Sequence, residues 1–246
     1  MKLALNEFYL MDCMDGMAQF PDKFFELSIV DPPYGGGNHA MNSHRSVLVK
    51  DSTSTGGFFS VERTGGKWAA KYGKDINKWD IAPPPEYFAE LFRVSQNVII
   101  WGGNYFDLPP SRNFIVWRKL TISETFSMAM AEYAWTNISG NAKVFEYAPQ
   151  AAERFHPTQK PVALYRWLLR NYAKPGDKIL DTHVGSASSL IACHEAGYDF
   201  VGFEIDHDYH AAASARLKQV RAQGTLFDMQ ELIASNVEHE LFMERA

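Results

Sequence analysis

Lys178-Ile179-Leu180-Asp181-Thr182-His183-Val184-Gly185-Ser186-Ala187-Ser188 reads as the end of a strand, a turn of small residues and the start of a helix. Small residues let a ligand approach the backbone, and the first turn of a helix offers it unpaired N–H groups. Glu204 stands at the end of the next apolar run, Phe200 to Ile205. A carboxylate in that place suits the two hydroxyls of a ribose. Either piece alone fits an ordinary packing turn. Together they point to an open, mostly parallel α/β sheet that holds a nucleoside at the carboxyl ends of its strands. The fingerprint for a dinucleotide is missing, because the turn continues Gly185-Ser186-Ala187-Ser188-Ser189-Leu190 where G-x-G-x-x-G would be needed. The nucleoside is therefore expected to carry no pyrophosphate.

Working outward, a second strand end lies far upstream. Leu27 to Val30 is apolar and runs into Asp31-Pro32-Pro33-Tyr34. A carboxylate, two rigid prolines and an aromatic at the end of a strand occupy the place where such sheets keep their chemistry. Prolines also close strands for structural reasons alone, so this motif gains meaning from the turn at residues 181–188. A third string, His156-Pro157-Thr158-Gln159-Lys160-Pro161, precedes a helix. A proline-started helix explains its prolines but not the whole string.

Composition bounds the rest. The 246 residues are 46% hydrophobic with a net charge of −5, a length common for one α/β domain. Residues 1–246 are accordingly expected to form one domain. No stretch reaches the roughly 20 apolar residues that a membrane span needs, and the N-terminus turns acidic too early for a secretory signal. Cys13 and Cys193 make no disulfide framework and no metal-ligand spacing with the eight histidines. A reduced, cytoplasmic protein without metal or membrane attachment is expected. Residues 35–79 carry seven basic and three acidic side chains, +4 against −9 for the remainder. A local excess of that kind can meet phosphates although the whole chain is acidic.

Along the chain, strands are expected at 7–11, 24–30, 97–101, 114–117, 132–136, 144–147, 178–180 and 200–205. Helices are expected at 86–95, 161–172, 185–196 and 209–220, with an outer helix at 228–244. A long Gly-, Ser- and Thr-rich stretch from Gly35 to about Lys78 reads as a binding loop.

With Asp31-Pro32-Pro33-Tyr34, the turn at 181–188 and His156 to Pro161, the chain resembles the beta group of DNA amino-methyltransferases. Small phage and prophage members show the nearest resemblance, through Trp79-Asp80 and Trp101-Gly102-Gly103-Asn104 as well. The likeness covers most of residues 6–220. It implies a Rossmann-like, seven-stranded, mostly parallel sheet with one antiparallel strand, circularly permuted so that the catalytic strand precedes the cofactor turn. It also implies S-adenosylmethionine as cofactor and double-stranded DNA as partner, with monomer and homodimer both left open.

By the same resemblance, Asp12 would meet the adenine of the cofactor and Glu204 its ribose, with Cys13 and Ile205 also among the cofactor-binding residues. Asp181, His183, Gly185, Ser186 and Ala187 would form the cofactor turn, and Thr158 and Lys160 would meet its carboxylate end. Asp31, Pro32, Pro33 and Tyr34 would act on the target base, Asp31 also touching the cofactor. The family turn reads Asp-Pro-Phe-x-Gly-Ser-Gly, and this chain departs from it at Thr182, His183 and Ala187. Aspartate at the first position of the catalytic motif favours the N6 amine of adenine. A cytosine-N4 enzyme, and a DNA-binding protein with a vestigial pocket, are the alternatives. Lys67, Lys71 and Lys74 are expected to contact DNA phosphates.

Overall fold

A computed structural model describes residues 3–35, 80–123, 129–149, 154–156 and 158–223. The expected loop at 36–79, with Lys67, Lys71 and Lys74, and the expected helix at 228–244 lie outside the described residues. The strands are β1 (Glu7–Leu10), β2 (Phe25–Val30), β3 (Ser95–Trp101), β4 (Phe114–Lys119), β5 (Ala131–Thr136), β6 (Lys143–Tyr147), β7 (Lys178–Asp181) and β8 (Asp199–Glu204). The helices are α1 (Cys13–Met17), α2 (Pro85–Val94), α3 (Val162–Tyr172), α4 (Ser188–Glu195) and α5, over 207–223.

The strands form one sheet in the order β1-β8-β7-β2-β3-β5-β4-β6. The first seven of these make the expected layout, with β5 antiparallel to both β3 and β4. The eighth, β6, adds itself parallel to β4 at the edge. Its burial is slight, so a seven-stranded expectation misses little of the core. The start of α4 also differs from the expected one: the turn holds residues 185–187 out of the helix, which begins at Ser188.

Apolar residues alternate along the central strands, as a pleated strand requires when both faces are covered. Leu27, Ile29, Ile99 and Trp101 face a cluster with Leu164, Leu168, Leu190, Ile191 and Leu217 from α3, α4 and α5. Phe25, Val30, Val98 and Ile100 face the other cluster, with Met17, Tyr87, Leu91 and Val94 from α1 and α2. The result is helices on both faces of the sheet. Between β2 and β3 the buried hydroxyls of Ser28 and Ser95 satisfy each other at 2.5 Å, which a dry interior demands of any polar pair.

The turn between α1 and β2 is tied to α2 by Arg93. Its guanidinium donates to the carbonyls of Phe20 and Met17 and to the carboxylates of Asp22 and Glu90. Since β2 is held at its start, and parallel to β3 and β7, its end is positioned beside theirs. Asp31, Asp181 and Glu204 consequently stand at the carboxyl ends of adjacent or near-adjacent parallel strands.

Gly16 brings α1 against β8 closely enough that an added Cβ would meet the Phe203 ring at 2.5 Å. Gly16→Ala should lower stability by about 1–3 kcal/mol, overpacking outweighing the better helix propensity. Urea unfolding should show a lower midpoint with an unchanged slope.

Candidate active site

The carboxyl ends of β2, β7 and β8 open on a cavity of about 220 Å³. Asp31, Pro32, Pro33 and Tyr34 line it, together with Thr158 and with Lys160, which is bonded to Asp31. His183, Gly185, Ser186, Glu204 and Ile205 line the same cavity. Three strings far apart in the chain thus meet around one space. Asp12, Cys13, Asp181 and Ala187 do not line it. Asp12 instead caps α1, accepting from the Met14 N–H at 2.8 Å, and its charge still acts on His183.

The buried centre of the site is an ion cluster. Lys160, on the segment leading into α3, donates to Asp31 Oδ2 and lies 3.2 Å from Glu132 Oε2. Glu132, on β5, is held from its other oxygen by Lys119 of β4 at 2.6 Å. The Lys160 ammonium also lies 5.4 Å from the centre of the Trp101 ring, within range of a cation–π attraction. Burial pushes the Glu132 carboxyl up, but Lys160 and Lys119 outweigh it and hold it at about 2. For Asp31 burial is the larger influence and pushes the carboxyl up, with Lys160 offsetting part of it. The sequence reading assigned Lys160 to a cofactor carboxylate; its observed partners are the two protein carboxylates.

Tyr34 donates to Asp31 Oδ1 at 2.6 Å, and its ring stacks on Tyr105 with centroids 4.9 Å apart. This packing requires Gly102, at φ +68°, because a Cβ there would fall 2.1 Å from the Tyr34 ring.

Glu204 accepts from the Gly185 N–H at 2.9 Å and from the Asp206 N–H at 3.0 Å. Gly185 has φ +55°, and a Cβ on it would press on the His156 ring at 3.1 Å. His156 in turn packs against Tyr209, with centroids 4.3 Å apart. The His156 string therefore buttresses the turn rather than only starting α3. Beneath the turn, Asp181 accepts from Ser189 Oγ and from the His183 N–H at 3.0 Å. Burial pushes its carboxyl up to about 7. Burial also pushes the His183 imidazole down to about 4, against the opposing pull of Asp12, so the ring is neutral at physiological pH.

Several site residues escaped the sequence reading. Tyr209 and Gln159 line the cavity, and Glu132 and Lys119 carry its electrostatics. A glutamate in the short strand Ala131-Glu132-Tyr133-Ala134-Trp135 was the available signal, since a charge buried in a sheet needs a partner.

Against this geometry stand the comparisons. The family model described as DNA methylase, of the N6/N4 type, matches residues 77–215, more than half of the chain. The chain belongs to the N6/N4 DNA methylase family. YubD of Escherichia coli strain K12, named as a candidate methylase, is 24% identical over 234 residues, covering 88% of this chain and 92% of that protein. The type II methyltransferase M2.MboI of Moraxella bovis is 21% identical over 252 residues, covering 86% and 87%. Among solved structures, the cytosine-N4-specific PvuII DNA methyltransferase superposes with a TM-score of 0.53 at 11% identity, covering 90% of this chain and 92% of that one. That likeness confirms the fold of this DNA methylase. The family match begins at residue 77, downstream of Asp31 to Tyr34, so the placement of those four residues at the cavity rests on the geometry described above. No group of histidines, cysteines or carboxylates among the described residues is arranged to hold a metal ion. No described helix is long and apolar enough to cross a membrane.

Two tests probe the turn. Ala187 sits at φ +61° with its methyl buried. Glycine there would remove a left-handed backbone cost of roughly 1–2 kcal/mol but lose about 0.8 kcal/mol of buried methyl and some chain entropy. Ala187→Gly should change stability by less than about 1 kcal/mol in denaturant titrations; a much larger loss would show that the pocket has repacked around the methyl. For Asp181, a folded-state value near 7 against an ordinary 3.8 favours folding below about pH 4, and that advantage is lost as pH rises to about 7. Asp181→Asn cannot lose a proton, so its stability relative to the parent should climb by a few kcal/mol between pH 4 and 7 and then level off. A pH-independent difference would place the Asp181 proton elsewhere.

Proposed function

We propose that this methylase transfers a methyl group from S-adenosylmethionine to the N6 amine of adenine in double-stranded DNA. The observation that carries the reading is Asp31, with Pro32 beside it, lining the same cavity as Gly185 and Glu204. The first pair suits an acceptor amine and the second a nucleoside.

The residues present fit the cofactor. Gly185 presents backbone without a side chain to the cavity, and Glu204, which accepts from the Gly185 and Asp206 N–H groups, keeps lone pairs for a ribose diol. Ile205 is 70% exposed at the cavity mouth, an apolar surface for the flat face of adenine. When bound, the cofactor supplies a methyl group on a cationic sulfur.

An exocyclic amine is a weak nucleophile because its lone pair is delocalised into the ring. The Asp31 carboxylate and the Pro32 carbonyl would accept its two N–H groups, favouring a pyramidal nitrogen with its lone pair free. Lys160 and Tyr34 hold the Asp31 oxygens in place, so little reorganisation is needed when the amine arrives. Burial raises the proton affinity of Asp31, which suits it to take the proton that becomes acidic once the nitrogen is alkylated. The amine cannot be reached inside a duplex, so the base must leave the stack. Tyr34 and Tyr105 then offer an aromatic surface beside Asp31. The basic excess at 35–79 supports a polymer substrate over a free nucleotide.

The test combines purified protein, methyl-labelled cofactor and unmodified DNA, followed by nucleoside digestion. Label in N6-methyladenine is expected, and label in N4-methylcytosine would reassign the base. Asp31→Ala should abolish transfer while calorimetry shows a much smaller fall in cofactor affinity. Glu204→Gln should do the reverse, weakening cofactor binding by roughly 1.5–3 kcal/mol. Equal losses in both quantities for Asp31→Ala would move Asp31 to the cofactor side.

A further inference from the structure

The turn departs from its family at Thr182 and His183, and the structure shows these two residues joined to a third. The Tyr87 hydroxyl, buried on α2, lies 2.7 Å from Thr182 Oγ1. Thr182 Oγ1 lies 2.9 Å from His183 Nδ1. The imidazole also meets the Tyr87 ring edge-on, with centroids 5.4 Å apart, and lines the cavity.

One hydroxyl proton sits at Thr182, so the chain runs in one of two directions. If His183 Nδ1–H donates to Thr182 and Thr182 to Tyr87, the phenolic proton of Tyr87 has no acceptor among the described residues. A donor left unpaired in a dry interior costs about 1–3 kcal/mol. If Tyr87 donates to Thr182 and Thr182 to Nδ1, every proton is used. Burial keeps the Tyr87 phenol protonated and the imidazole uncharged, as this direction needs. The neutral ring then carries its proton on Nε2, and no described group is bonded to that atom.

We propose that Tyr87 and Thr182 lock His183 in the Nε2–H tautomer and so present a fixed hydrogen-bond donor to the methyl donor in the cavity. Tyr87 and Thr182 are positioning residues, and His183 is the binding residue. The phenylalanine of the family turn can offer shape at this place but no donor. The acceptor is either the carboxylate at the amino-acid end or a nitrogen or oxygen of the nucleoside. The inference rests on the cofactor reading of the cavity given above.

Histidine labelled with nitrogen-15 reads the tautomer directly in the cofactor-free protein, with the His183→Phe spectrum assigning the signal among the eight histidines. Wild-type protein should show a protonated Nε2 and an unprotonated Nδ1 at pH 7. An Nδ1–H tautomer overturns the proposal. Calorimetric titration with S-adenosylhomocysteine supplies the second readout. His183→Phe should weaken binding about five- to tenfold, as for one neutral hydrogen bond, and His183→Gln should restore most of it.

Thr182→Ser should bind as wild type and keep the tautomer, whereas Thr182→Val should lose both. If the valine variant does not fold, the wild-type spectrum and the two His183 variants still decide. Repeating the titrations with 5′-methylthioadenosine, which lacks the amino acid, locates the acceptor. A retained effect of His183→Phe assigns it to the nucleoside, and a vanished one to the carboxylate. Wild-type affinity in His183→Phe for both ligands overturns the donor role and leaves the cofactor reading standing. A wild-type protein that binds neither ligand overturns that reading, and this one with it.

Discussion

The site depends on one shared cation. The Lys160 ammonium, 3% exposed, sits between Asp31 and Glu132, and Glu132 is shared with Lys119. Two positive and two negative charges balance, which is the condition for keeping any of them in a dry interior. Removing one member would strand its neighbour at a cost of about 3–5 kcal/mol. The same arithmetic explains the orientation of Asp31. Its Oδ2 is fixed by Lys160 and its Oδ1 by Tyr34, leaving the remaining lone pairs directed by protein packing rather than by solvent. The cluster joins β2, β4, β5 and the segment before α3, so the Asp31 carboxylate is tied to strands on the side of β2 away from the turn at residues 181–187.

Topology supplies the second constraint. Parallel strands bring their carboxyl ends to one edge, and the neighbours β8, β7 and β2 deliver Glu204, Asp181 and Asp31 there. Chain order is irrelevant to that outcome. A permuted chain reaches the same adjacency because β7 pairs with β2 across a large sequence separation. The edge strand β6 can be added without disturbing it, since β6 touches only β4 in the sheet.

What was legible in the residues follows from the range of the forces involved. Period-two apolar runs, prolines at strand ends and small residues at a turn act locally, so the strands, α2 and α3 appear in the sequence nearly where they stand. Asp31, Gly185 and Glu204 are legible for the same reason, each ending or following a strand. The partners of Lys160 are not legible. Its contact with Asp31 spans 129 positions, and nothing in His156 to Pro161 says that its cation turns inward. Glu132 was visible only as a charge in an apolar strand. Asp12 shows the converse: a carboxylate at a strand end also caps the following helix, and the two roles look alike in sequence.

Thr182, His183 and Ala187 look like three independent losses when set against the family turn, yet the structure makes them one local solution. A proline at 182 would offer no hydroxyl to the buried Tyr87, and a phenylalanine at 183 no nitrogen to Thr182. With both replaced, Tyr87 has a partner at 2.7 Å and the ring at 183 has a fixed orientation. Ala187 keeps the left-handed backbone that a glycine would adopt, at φ +61°, and repays part of its strain by burying a methyl in the cluster beneath α3 and α4. Strain of this size persists where surrounding structure over-determines the backbone. Here the Gly185 bond to Glu204 precedes it and α4 begins immediately after it. The turn therefore holds a left-handed residue at Ala187 while carrying a hydroxyl and an imidazole at 182 and 183, and the polar chain from Tyr87 to His183 is what those two side chains add beside the cavity.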